Sequence, residues 1–199
     1  MQWHRRLTWH PGSLDWRVAA LFMVGSFLFV LGSFPLYALR VDARAVALTF
    51  ALGSVFFTSA AYSQFLTVIN PVRSDSAPFR FWTWQPGEIR WWATVVQLAG
   101  TRFFNVSTFA AVDSSLTTRE AERLVWAPDF FGSIAFLVAS HLAWLAVCHR
   151  VWCVQRDNAE WWIAAVNYVG SIFFMAAALG AFILPTTGDV ANITLVNLG

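Results

Sequence analysis

Charge is what this sequence lacks. Only 12% of its 199 residues are charged, and lysine does not occur, so every basic side chain is an arginine. A soluble domain of this size carries about a quarter charged residues. The deficit leaves too little polar surface to cover a water-soluble globule. The formal net charge of +2 is too small and too dispersed to mark a nucleic-acid surface. Two cysteines, Cys148 and Cys153, cannot build a disulfide framework and say little about redox compartment. Phosphate-binding glycine loops, zinc-protease helices and nucleophile elbows are missing as well. Glu120, Glu122 and Asp129 share a loop as ordinary surface carboxylates do. No catalytic residue is expected, and none of the charge patterns requires a cofactor.

What the sequence does have is apolar length: 58% of its residues are hydrophobic. A bilayer core is crossed by a helix of about 20 apolar residues. Five stretches reach that length: Val18–Leu39, Ala45–Ile69, Trp92–Val112, Phe130–Trp152 and Trp161–Leu184. Barrel strands would show segments of about 10 residues alternating in polarity, and no such alternation is present. The expected fold is all-α: a single polytopic transmembrane helical bundle spanning residues 1–199, with the lipid bilayer as its main partner. Arg5 and Arg6 ahead of the first stretch resemble a signal peptide, and Ala43-Arg44-Ala45 has an Ala-x-Ala form. The apolar run is nevertheless longer than the about 7–15 residues of an h-region, so it reads as a retained anchor. After the polar turn Pro185–Asp189 the chain turns apolar again from Val190 to Gly199, as at the start of a sixth span.

Arginine in the connections orients the spans. Arg5, Arg6, Arg17, Arg73, Arg80, Arg90, Arg150 and Arg156 fall on one side, against Arg40, Arg44, Arg119 and Arg123 on the other. The larger group predicts a cytoplasmic N-terminus. Basic residues that are all arginine hint at a GC-rich coding sequence, and hence at a bacterial inner membrane. The loop 70–91 interleaves Phe79, Phe81, Trp82, Trp84 and Trp91 with Arg73, Arg80 and Arg90, a composition suited to the headgroup zone. On the opposite side, residues 113–129 form a loop in which Thr117-Thr118-Arg119-Glu120 fits a capping box. That box predicts a short surface helix running to Trp126.

A repeat runs through the spans. Gly-Ser-x-x-Phe occurs at Gly25-Ser26, Gly53-Ser54, Gly132-Ser133 and Gly170-Ser171, with a variant at Gly100-Thr101. Glycine lets a neighbouring helix approach, the hydroxyl bonds across the contact or back to its own helix, and Phe four residues on fills the adjacent groove. The motif predicts helix packing. Trp16–Phe29 aligns with Trp161–Phe174, which suggests an old duplication. Asn167-Tyr168-Val169-Gly170-Ser171-Ile172-Phe173-Phe174, and its echo around Gly25-Ser26, resemble the hydrophobic helices of YrhK-like bacterial membrane proteins. Gln97–Thr101 through Asn105–Thr108 is similar to other uncharacterised multi-pass proteins. The resemblance implies a helical membrane fold with a sixth span and carries over no functional residue.

Side chains out of place in lipid are the candidate binding residues. Thr94, Gln97, Thr101, Asn105 and Thr108 fall within about 80° of one another on a helical wheel. Two readings stand for this stripe: a hydrogen-bonded seam between helices, or the wall of a ligand path. Arg102 lies near the middle of the same span, and no Asp or Glu lies inside any span to neutralise it. Its intramolecular partners would be neutral ones: Gln97, Asn105, His141, Asn167 or freed carbonyls. Otherwise it meets an anionic lipid or solute, or a carboxylate on another chain; a shifted span that brings it nearer an interface is the plain alternative. His141 could ligate haem, and His149 with Cys153 could share a metal, but neither set is complete. The function expected is therefore non-enzymatic: a structural or accessory subunit of a homo-oligomer or larger membrane complex. The alternative is a small channel, transporter or anionic-lipid-binding protein that uses Arg102 and the stripe.

Overall fold

The computed structural model describes residues 10–71 and 78–182, and among these all regular structure is helical. The elements are α1 (Leu14–Ser33), α2 (Pro35–Ala38), α3 (Ala43–Ile69), α4 (Ile89–Ala110), α5 (Thr118–Ala121), a π-helical turn (Glu122–Trp126), α6 (Ala127–Cys148) and α7 (Ala159–Gly180). Local chemistry fixes most ends. Ser13 caps α1 and Asp42 caps α3, each accepting an amide three residues on, at 3.2 and 2.7 Å. Pro35 stops α1 at Ser33, short of the end expected at Leu39, so the span Val18–Leu39 is divided into α1 and the short α2. At the far end, α6 closes at Cys148 because His149 turns left-handed (φ 54°), so it does not run on to Trp152.

The Thr117 capping box forms, with the Thr117 amide donating to Glu120 at 2.9 Å. The helix it starts does not end at Trp126. Residues Thr118–Cys148 are one continuous helix, with the π turn just before Pro128. A proline inside a helix lacks an amide donor and crowds the carbonyl four residues back, and a wider turn absorbs both defects.

Among the described residues, four helices are long and apolar enough to cross a membrane: Leu14–Ser33, Ala43–Ile69, Thr118–Cys148 and Ala159–Gly180. The remaining expected span, Trp92–Val112, coincides with the 22-residue helix α4, which is less apolar than the other four because it carries the polar stripe. The bundle's outer surface is itself apolar: Met23, Phe27 and Val30 of α1 and Ile163 and Val166 of α7 are all more than half exposed. The sixth span expected from Val190, and the end of the fifth at Leu184, lie outside the described residues.

The helices pack as consecutive pairs, α1 with α3 and α4 with α6, with α4 also against α3 and α7 against α6. Three of the connections are built alike. The amides of Ser13, Glu88 and Asn158 each donate to the carbonyl three residues back, at 2.9, 3.1 and 2.9 Å. Four residues on, Arg17, Trp92 and Trp162 each donate a side-chain N–H to the carbonyl of Pro11, Pro86 and Arg156, at 2.8, 3.0 and 2.9 Å. Trp91 and Trp161 add an indole bond to the carbonyls of Thr83 and Cys153. With Gly25, Gly100 and Gly170 twelve residues after those amides, α1, α4 and α7 align without a gap. They are the first helices of three repeats.

The glycines lie where the paired helices come closest. A methyl built on Gly25 would sit 2.5 Å from the Phe57 ring, and one on Gly53 would sit 2.6 Å from the Phe29 ring. In the second pair a methyl on Gly100 would meet Phe136 at 2.9 Å, whereas one on Gly132 would meet the Gly100 carbonyl at 3.2 Å. The motif phenylalanines converge on the middle of the bundle. Phe29 lies 4.9 Å from Phe57 and 5.4 Å from Phe104, and Phe174 lies 5.6 Å from Phe104 and 5.8 Å from Phe136, between ring centroids.

Candidate functional site

The stripe on α4 faces other helices. Thr94, Gln97, Thr101 and Thr108 are buried, and Asn105 is half-buried. Its hydroxyls are already engaged. Thr108 donates to Ser54 of α3 at 2.9 Å, and Ser54 donates to the Ala51 carbonyl at 2.7 Å. Thr101 bonds back to the Leu98 carbonyl at 2.8 Å and Thr94 to that of Trp91 at 3.0 Å. Such bonds satisfy a hydroxyl within its own helix and leave little capacity for a passing ligand. The Asn105 side-chain oxygen is the exception, being buried without a donor.

Arg102 is not part of this seam. It is exposed on the outer side of α4, near Phe103, Val106 and Phe109, which are themselves 45%, 51% and 55% exposed. Among the described residues it makes no ion pair or hydrogen bond. Helix geometry explains the separation: successive residues are turned by about 100°, so a neighbour of Thr101 must leave its face.

Two of the neutral partners proposed for Arg102, Asn167 and His141, are engaged elsewhere. Asn167 donates to Ser140 at 2.9 Å, Ser140 and Ser171 lie 2.7 Å apart, and Ser171 donates back to the Asn167 carbonyl at 2.9 Å. Beside them the Tyr168 hydroxyl and His141 Nδ1 are 3.4 Å apart, and Ser133 donates to the Phe174 carbonyl at 3.4 Å. These bonds make a second polar seam, between α6 and α7. Sequence reasoning took Asn167 and His141 as candidate partners of Arg102 and missed Ser140. The signal was available, because Asn167 and Ser171 stand in the third repeat where Gln97 and Thr101 stand in the second.

The metal reading of His149 with Cys153 does not survive, since Cys148 and Cys153 are joined by a disulfide across the turn, with Cα atoms 5.6 Å apart. No group of three or more His, Cys, Asp or Glu side chains that could hold a metal occurs among the described residues. For haem, His141 offers one imidazole already shared with Tyr168.

The loop after α3 closes over one end of the bundle. Asn70 clasps the backbone of Arg80 with two bonds of 2.9 and 3.0 Å, and Trp82 lies 5.1 Å from Phe65. Phe65, Leu66, Ile69 and Trp91 form the buried cluster beneath it, while Phe81, Trp82 and Trp84 stay more than half exposed. At the same end Arg90 of α4 meets Glu160 of α7 at 3.4 Å, both side chains about half exposed. Comparison with known proteins finds no match to any family model, curated protein or solved structure.

Proposed function

We propose that this chain is a multi-pass integral membrane protein, α4 included, and that it works as a non-enzymatic subunit whose contact with a further chain is made at Arg102. The observation that carries this reading is Arg102 itself: a permanent cation on the outer face of a helix, among exposed aromatic and aliphatic side chains and without a partner among the described residues. It lies eight residues before the end of α4 at Ala110, or ~12 Å of helix, too far for easy snorkelling. An intramembrane arginine facing hydrocarbon is costly and marks a functional contact. A carboxylate from another chain would accept its planar fork bidentately. The binding alternative, an anionic lipid headgroup on the same arginine, uses the same chemistry. A solute path along the stripe is disfavoured, because its hydroxyls are spent within the seams. Kinship with YrhK-like membrane proteins, a bacterial inner-membrane location and a cytoplasmic N-terminus complete the proposal.

Native mass spectrometry of gently solubilised protein tests it. The expected result is a defined oligomer or co-purifying chain that is lost in Arg102→Leu while the thermal melt is retained. A monomer carrying one anionic lipid, lost in the same variant, moves the assignment to lipid binding. Unchanged assembly and lipid content in Arg102→Leu refute both. Orientation has its own readout. With the N-terminus cytoplasmic, a cysteine placed by Ser114→Cys in a chain with Cys148→Ser and Cys153→Ser lies outside and reacts in intact cells with a membrane-impermeant maleimide; protection there, or a Cys148–Cys153 disulfide that stays intact in the cell, reverses the orientation.

A further inference from the structure

The end of the bundle away from the aromatic loop carries two charges that their helices disfavour. A helix start is partially positive and a helix end partially negative, so each attracts the opposite charge. Arg44 is nevertheless the second residue of α3, and Asp113 follows the end of α4, its amide donating to the Ala110 carbonyl at 3.0 Å. Among the described residues Arg44 makes no hydrogen bond or ion pair. Asp113 is bonded through Oδ1 alone, which accepts from the Ser115 hydroxyl at 2.6 Å and the Ser115 amide at 2.9 Å. Those two bonds hold its carboxyl below the ordinary carboxylate range and leave Oδ2 free. Arg44 and Asp113 line one open cavity of about 370 Å³ together with Phe109, Val112 and Ser114, yet they do not pair with each other. A volume of that order suits a small polar molecule. Helix stability explains neither charge, and mutual attraction does not hold them.

We propose that this cavity seats the phosphoethanolamine headgroup of a membrane lipid, its phosphate on Arg44 and its ammonium on Asp113. A guanidinium takes two phosphate oxygens at once, and the Ser114 hydroxyl is a further donor beside it. An ammonium group has N–H donors for the free Oδ2 of Asp113. The trimethylated nitrogen of a choline headgroup has none, and a purely anionic headgroup would bring only negative charge to the carboxylate. The apolar wall favours a lipid over a free headgroup. Phe109 shares a face of α4 with Val106, three residues deeper, and both are more than half exposed. A track for an acyl chain therefore begins at the cavity. With α3 and α4 spanning a membrane, their ends lie at headgroup level, where basic pockets between spans take lipid headgroups. The assignment rests on that spanning reading but not on Arg102, which lies about two turns deeper on α4.

The test measures binding of phosphatidylethanolamine, phosphatidylcholine and phosphatidylglycerol with identical acyl chains to the full chain, delipidated in detergent, by native mass spectrometry. Phosphatidylethanolamine is expected to bind about threefold to fivefold more tightly than either, the scale of exposed charge pairs. Asp113→Asn, which keeps an Oδ1 acceptor for Ser115, should abolish the preference over phosphatidylcholine. Arg44→Gln should weaken both of these lipids alike, and Arg102→Leu should leave the preference as it is. Equal binding of the three lipids, or a preference untouched by Asp113→Asn, overturns the proposal. Arg44→Gln should also leave Tm unchanged or raise it, since a cation leaves a helix start; a fall would make Arg44 structural and overturn the proposal as well. Glycerophosphoethanolamine, the headgroup without chains, should displace the lipid only in large excess, and displacement at equal concentration overturns the lipid assignment. A chain that stays in solution without detergent refutes the spanning reading, which separates that failure from the others.

Discussion

The first and second hairpins carry the same motif and close it differently. In α1 with α3 the closure is reciprocal: each glycine receives the phenylalanine of the other helix, Phe57 on Gly25 and Phe29 on Gly53. In α4 with α6 only one ring does this, Phe136 on Gly100, while Gly132 lies against the Gly100 carbonyl and the backbone of Phe104. Phe104 turns instead to the central cluster, where it meets Phe29 and Phe174. A side-chain lock and a backbone contact are thus two outcomes of one sequence pattern. They differ in what can yield when the glycine is replaced.

Replacement of Gly25 by alanine is expected to have the largest effect, about 1–3 kcal/mol of lost stability in a detergent melt, because a whole ring must shift. Adding Phe57→Ala to Gly25→Ala should recover part of that loss, and a strictly additive pair would show that the ring is not what opposes the methyl. Gly132→Ala should cost somewhat less, since its neighbours need give by only a few tenths of an ångström. No phenylalanine truncation should rescue it, and rescue by Phe136→Ala would erase the distinction between the hairpins. Next come the polar seams. Thr108→Val, which removes the buried bond to Ser54, should cost about 0.6–1.7 kcal/mol, and a double-mutant cycle with Ser54→Ala isolates the pair. Smallest is Glu160→Gln. The Arg90–Glu160 pair is half exposed, so its loss should change stability by under about 1 kcal/mol and the difference should fade in salt. A salt-insensitive loss would show that the two helix ends are held by something else.

How much of this was legible in the sequence depends on which signal each feature left. The helices were legible, because about 20 apolar residues in a row leave few alternatives. Their ends were less so: nothing in hydropathy shows that Pro35 divides the first span or that helix continues from Thr118 through Pro128. The polar stripe of α4 followed from spacing, but its partner Ser54 on α3 did not, and nothing in the spacing showed that Arg102, which shares a span with the stripe, points away from it. The likeness of the three connections was hidden, since the repeated element is a set of bonds to backbone carbonyls and Arg17 does in the first repeat what tryptophan does in the others. The equivalence of Asn167 to Gln97 was readable only once Gly100 and Gly170 were taken as one position.

The uneven polarity of the helices bears on how such a chain is made. Under the membrane reading, α1, with a mean hydropathy of 1.8, can leave the translocation channel and stand in lipid by itself. Helix α4 cannot do so equally well, because Gln97, Asn105 and the buried threonines would face hydrocarbon until a partner covered them. Its polar face is matched to α3, which is synthesised before it, and its glycine face to α6, which is synthesised after it. The order of the genetic message therefore doubles as an assembly schedule. The self-sufficient helix precedes the dependent one, which is delivered to a surface already waiting for it.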